Sequence, residues 1–75
     1  MDGIWIRSQN MEVIVFCKAV SVEADKTAQV LGHNSGIYGF LIGQYNTKER
    51  AIQVIDDIQK HIFNGVHQVY QMPQE

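Results

Sequence analysis

The stretch from Tyr45 to Gly65, YNTKERAIQVIDDIQKHIFNG, is specified at both ends and so constrains what the rest of the chain can be. Asn46 suits an N-cap, because its side-chain oxygen can accept from an orphan N–H of the first turn, and Glu49 follows three residues on to bond back. Ala51, Ile55, Ile58 and Ile62 recur at helical spacing, flanked by Ile52, Val54 and Phe63. Lys48, Gln53, Asp56, Asp57, Gln59 and Lys60 fall largely on the opposite side, so the spacing predicts an amphipathic helix. Asn64-Gly65 supplies the left-handed residue that ends one, since glycine has no Cβ to clash at positive φ. A lone helix of this length is marginal in water, so its isoleucine face needs a surface to pack on.

The rest of the chain reads as strands that provide that surface. After a frayed Met1-Asp2-Gly3, Ile4 to Gln9 is β-branched and aromatic, and Asn10 makes a turn. Glu12 to Ala24 reads as one long strand, with Ile14, Phe16, Lys18, Val20 and Val22 on one face and Val13, Val15, Cys17 and Ala19 on the other. Both faces of its first half are apolar. That pattern fits a central strand covered by the helix on one side and by another subunit on the other, or a sheet curved strongly enough to fold over itself. Asp25-Lys26 reads as a tight hairpin leading into Thr27 to Leu31. The Gly32 to Gly36 segment is the next turn, and Ile37 to Tyr45 is a strand whose glycines suggest a bulge or a close backbone approach. Val66 to Met72 completes the sheet and Pro73 ends it. The expectation is a single α+β domain over residues 1–75, an antiparallel sheet of four to five strands with one amphipathic helix packed on it.

A chain of 75 residues hides only about 60% of the surface its unfolded form exposes. Small domains offset a thin core with disulfides, metals or association. Cys17 is the single cysteine, which excludes an internal disulfide and a thiol pair for zinc, so association is the expected support and a homo-oligomer the expected state. One thiol and no signal-peptide pattern point to a reducing cytoplasm, and no apolar run is long enough to cross a bilayer. Six Lys and Arg against eight Asp and Glu lack the positive excess of a domain that grips a phosphate backbone, so no direct nucleic-acid binding is expected.

No residue set fits nucleophile, base and stabiliser roles, so no catalytic residue and no enzyme activity are expected. His33, His61 and His67 stand apart from one another and from Cys17, whereas zinc needs about four converging ligands; neither a metal site nor a cofactor is expected. Asp56 and Asp57 point about 100° apart on a helix and read as a solvated face. Cys17, mid-strand, reads as a buried inert thiol. The glycines around Tyr38 match no phosphate loop. Trp5 and Arg7 alternate on the first strand and project side by side, an aromatic plane beside a guanidinium, which is a usable grip on a nucleobase and its phosphate. The ordinary alternative buries Trp5 in the core and pairs Arg7 with an acid.

Three stretches together resemble a known group: Trp5-Ile6-Arg7-Ser8-Gln9; Gly43-Gln44-Tyr45 running into Lys48-Glu49-Arg50-Ala51 and Val54 to Gln59; and Val69-Tyr70-Gln71-Met72-Pro73. These are similar to small WIRSQ-type proteins of phages and mobile elements of Gram-positive bacteria. Residues 17–40 have no counterpart, and Asp2-Gly3-Ile4 before Trp5 departs from the usual start. The resemblance implies a mobile-element setting in which small proteins often act in counter-defence. One expectation is a homo-oligomeric sponge that sequesters a nucleotide immune signal, with Trp5, Arg7, Ser8 and Gln9 as ligand-binding residues. In that reading Arg7 meets the phosphates, Trp5 stacks, and Ser8 and Gln9 complete a polar ring. A second is an anti-CRISPR-like inhibitor that docks on a host defence protein through the exposed helix face or the His33 to Gly36 turn. A third is a structural or regulatory interaction module.

Overall fold

The computed structural model describes residues 3–25, 27–34, 39–65 and 68–75. Met1-Asp2, Lys26 of the expected hairpin, Ser35-Gly36 of the expected turn, Ile37-Tyr38 of the strand after it, and Val66-His67 of the last strand lie outside the described residues. Among the described residues, six strands and one helix follow in the order β1 (Ile4–Arg7), β2 (Ile14–Cys17), β3 (Ala19–Ala24), β4 (Ala28–His33), β5 (Phe40–Tyr45), α1 (Lys48–Phe63) and β6 (Tyr70–Gln71). The fold is α+β, as expected. The expected single sheet is instead two three-stranded sheets, ordered β2-β1-β6 and β3-β4-β5. All pairings are antiparallel except β1 with β6, which is parallel because α1 acts as the crossover that returns the chain beside β1.

The stretch from Glu12 to Ala24 is therefore not one central strand. It breaks at Lys18 into β2, at the edge of one sheet, and β3, at the edge of the other. The Lys18 N–H donates to the His33 carbonyl at 2.7 Å, so the chain passes from one sheet to the other without losing its ladder bond. The core-facing set changes parity at this point: Val15 and Cys17 face inward before it, Val20 and Val22 after it. Each half thus has one core face, and the apolar Ile14 and Phe16 of the first half are left on the outer side. The chain bends from one sheet into the other, and the outer face of β2 is left open, with Ile14 53% exposed.

On the far side the sheets meet again at Gln9, whose N–H donates to the Ile42 carbonyl at 2.8 Å. The core between them is built on Ile6, Val30, Ile42, Val54, Met72 and Cys17, all almost fully buried. A register shift in the β4–β5 pairing opposite Val30 and Leu31 lets Ile42 turn inward while Leu41 stays exposed. Gly43 lies beside this bulge, where a Cβ would come within 2.9 Å of the Met72 side chain, so of the expected bulge or close backbone approach the bulge is observed.

The helix starts one residue later than expected. Thr47, not Asn46, is the N-cap, with extended backbone and its Oγ1 accepting from the Arg50 N–H at 3.0 Å. The third helical position is then Arg50, so no capping box forms, although Glu49 still lies favourably in the first turn. Gly65 ends the helix with φ +66° and donates to the Ile62 carbonyl at 3.0 Å. The buried stripe is Ala51, Val54 and Ile58 with Ile55 partly covered, whereas Ile52 and Ile62 are about two-fifths exposed (43% and 41%) and Phe63 is 87% exposed. The expected stripe is rotated toward Val54, the side on which α1 meets β3, β4 and β5. No helix among the described residues is long and apolar enough to cross a membrane.

Candidate functional site

Alternation along β1 sends Ile4, Ile6 and the following Ser8 inward and Trp5 and Arg7 outward. The outward pair meets β2 directly, since Trp5 stands opposite Phe16 and Arg7 opposite Ile14. The Trp5 and Phe16 rings pack at 5.3 Å between centroids and 58° between planes, a tilted aromatic pair. Trp5 is not in the core: 52% of it is exposed, as is 53% of Ile14. Gln71 of β6 stands beside Arg7 on the other edge, and Val69, also exposed, falls on the same side by alternation.

Arg7 pairs with a carbonyl rather than with an acid. Its Nε and Nη2 both donate to the Met11 oxygen, at 3.1 and 3.0 Å, so the guanidinium lies clamped against the β1–β2 turn. That turn is held open in shape by Met11, the one described non-glycine residue with positive φ (69°), and by Ser8. The Ser8 Oγ donates to Asn10 Oδ1 at 2.6 Å and accepts from the Val13 N–H at 3.2 Å, while the Ser8 N–H donates to the Val13 carbonyl. Ser8 is only 3% exposed.

Gln9 has a different task. Its carboxamide accepts from the Gln44 N–H at 2.8 Å and donates to the Gln44 carbonyl at 3.1 Å, replacing a strand residue on the β5 edge. The same Nε2 donates to the Gln74 carbonyl, and the Gln74 side chain donates back to the Gln9 carbonyl, each at 2.8 Å. Of the four expected ligand-binding residues, the structure therefore brings only Trp5 and Arg7 to one open face. Ser8 and Gln9 spend their polar groups on the turn and on the seam between the sheets, so they form no polar ring beside Trp5. Sequence reasoning missed Ile14 and Phe16 as part of this face. Their shared parity was visible, but which strand face they would complete depended on the β1–β2 register.

Other polar clusters are small. Ser21 Oγ and His33 Nε2 lie 2.8 Å apart on the exposed surface of β3 and β4. Tyr70 donates to Asp57 Oδ2 at 2.7 Å, so Asp57 is not simply solvated, and His61 Nε2 lies 2.8 Å from the Gln68 carbonyl with its ring edge-on to Tyr70. Burial, reinforced by the hydrogen bond to Asp57 and its charge, pushes the Tyr70 phenol well above its ordinary range; burial also raises Tyr45 and the Cys17 thiol. Among the described residues no three His, Cys, Asp or Glu side chains converge as metal ligands. An apolar groove of about 310 Å³ runs between α1 and β3, floored by Cys17 and Ile58 and edged by Lys18 and Gln59. The chain matches no protein-family model, and no curated protein or solved structure matches it significantly.

Proposed function

We propose that this protein acts by binding rather than by catalysis, as a small docking module whose working surface is the outer face of β1 and β2. The observation that carries this reading is the exposed set Trp5, Ile14 and Met11, with the part-buried Phe16, gathered around a single immobilised arginine. Aromatic residues, methionine and arginine are the types enriched where one protein meets another, and tryptophan and arginine dominate binding energy there. The face is a sheet surface rather than a cleft, which suits another protein better than a small molecule. Resemblance to the WIRSQ proteins puts a host defence protein among the candidate partners.

A photo-crosslinking residue placed at Trp5 or Ile14 and expressed in the bacterial cell tests this. Adducts with protein from these positions, lost when Arg7→Glu is added, are expected; comparable adducts from Gln53 and Gln59 on the helix, or none from the β1–β2 face, would overturn it.

A second reading, a sponge for a nucleotide signal, is favoured by Trp5 and Arg7 sharing the outer face. Against it, two of the three guanidinium nitrogens already serve the Met11 carbonyl, which weakens the fork a phosphate needs. Trp5 is the only tryptophan, so its emission reports ligand directly. Saturable quenching by cyclic dinucleotides or an ADP-ribose compound, weakened about ten- to a hundredfold by Arg7→Ala, would support this reading. A flat titration removes it.

A further inference from the structure

We propose that the partner of the β1–β2 outer face is a second copy of this chain, seated so that Trp5 of each protomer lies against Arg7 of the other. This inference rests on the docking role given above to that face and specifies what docks.

The face is complementary to itself in one orientation. A two-fold axis between two stacked sheets can run along the strands or across them. Along the strands over β1, it would set Arg7 over Arg7 and Trp5 over Trp5, bringing like charges together; midway between β1 and β2, it would set Trp5 over Phe16 but Arg7 over the aliphatic Ile14, leaving each guanidinium without a partner ring. Across the strands at the level of Ile6, it exchanges positions 5 and 7, because these are the two outward residues on either side of Ile6. Each guanidinium then meets the indole of the other copy, a cation on the negative face of an aromatic ring. The same rotation places Phe16 against Ile14, since these stand opposite Trp5 and Arg7 on β2. Every outward residue of β1 and β2 thereby gains a partner of suitable chemistry, and Arg7 is the one side chain of the two strands that is charged at neutral pH.

Both anchors are already ordered. Trp5 leans on Phe16, and the Arg7 plane is fixed by two bonds to the Met11 carbonyl, so little side-chain freedom remains to be lost on association. A standard interface takes about 800 Å² from each partner, a modest share of the 5241 Å² exposed here. The exposed Trp5, Ile14, Met11 and Val69 with the part-buried Phe16 form its centre.

Sedimentation and concentration-dependent Trp5 emission test the pairing. Wild type is expected to run as a dimer at micromolar concentration, with Trp5 emission moving to the blue as the dimer forms. Trp5→Ala and Arg7→Ala, both on the solvent side and checked for an unchanged melt, should each dissociate at least about tenfold more readily. Mixing the two variants is the decisive arm. The mixed dimer regains one Trp5–Arg7 contact, so the mixture should associate more tightly than either variant alone. A monomeric wild type, or a mixture no tighter than its components, overturns the proposal. Crosslinks from position 5 separate the two levels: adducts only to a foreign protein would overturn the self-pairing and leave the docking role standing, whereas no adducts would end both.

Discussion

Gln9, half-buried just past the end of β1, carries much of the architecture. Its side chain makes three hydrogen bonds, two to the backbone of Gln44 and one to that of Gln74, and so acts as a one-residue strand where β1 and β5 meet. Gln9→Ala should lower stability by about 1–2 kcal/mol, since each net bond contributes about 0.5–1.5 kcal/mol and water can replace part of what is lost. The specific readout is hydrogen exchange: the Gln44 amide should lose protection. Unchanged exchange at Gln44 would show that the seam holds without it. Tyr70 makes a comparable long-range tie, and Tyr70→Phe should cost about 1–2 kcal/mol at neutral pH by removing the bond to the Asp57 carboxylate, as read from denaturant midpoints.

At the scale of the element, α1 shows which sequence signals survive folding. Its end at Gly65 was readable because positive φ is a local requirement. Its start was not, because Tyr45 remains in β5 and the chain needs Asn46 to leave the sheet before Thr47 can cap. Thr47→Ala should therefore destabilise by about 1 kcal/mol, and Asn46→Ala by much less; equal effects in thermal melts would contradict the assignment. Ile58 is 3% exposed and packs in the common core. Ile58→Ala should cost about 2–5 kcal/mol, whereas Ile62→Ala, on a residue 41% exposed, should cost far less.

The whole molecule has an alkaline weakness with a definite sign. Cys17, Tyr45 and Tyr70 all have pKa values raised by burial above ordinary values of 9 for the thiol and 10 for the phenols. Each folded group thus resists a deprotonation that the unfolded chain undergoes freely. Their stabilisation is complete below those ordinary values and is lost as pH climbs past them toward the raised folded values. The melting temperature should hold below about pH 9 and fall increasingly above pH 10, and Tyr70→Phe should flatten that fall. A decline no shallower in Tyr70→Phe would exclude Tyr70 as a contributor.

What the sequence determined by itself was whatever one short window can encode. That includes the helix and its glycine end, the strands around Ile6, Val30 and Ile42, and the alternation that puts Trp5 and Arg7 on one face. Tertiary structure decided the break at Lys18, the division into two sheets, the parallel return of β6 beside β1, and the use of Ser8 and Gln9 as structural ties. The physical reason is range. Periodicity and capping act over a few residues, so they fix which way a side chain points. Pairing and register are set by the sum of contacts between residues dozens of positions apart. The apolar residues on both faces of Val13 to Ala19 hold both kinds of information, and only the turn of the chain at Lys18 shows which of them face the core and which are left outside.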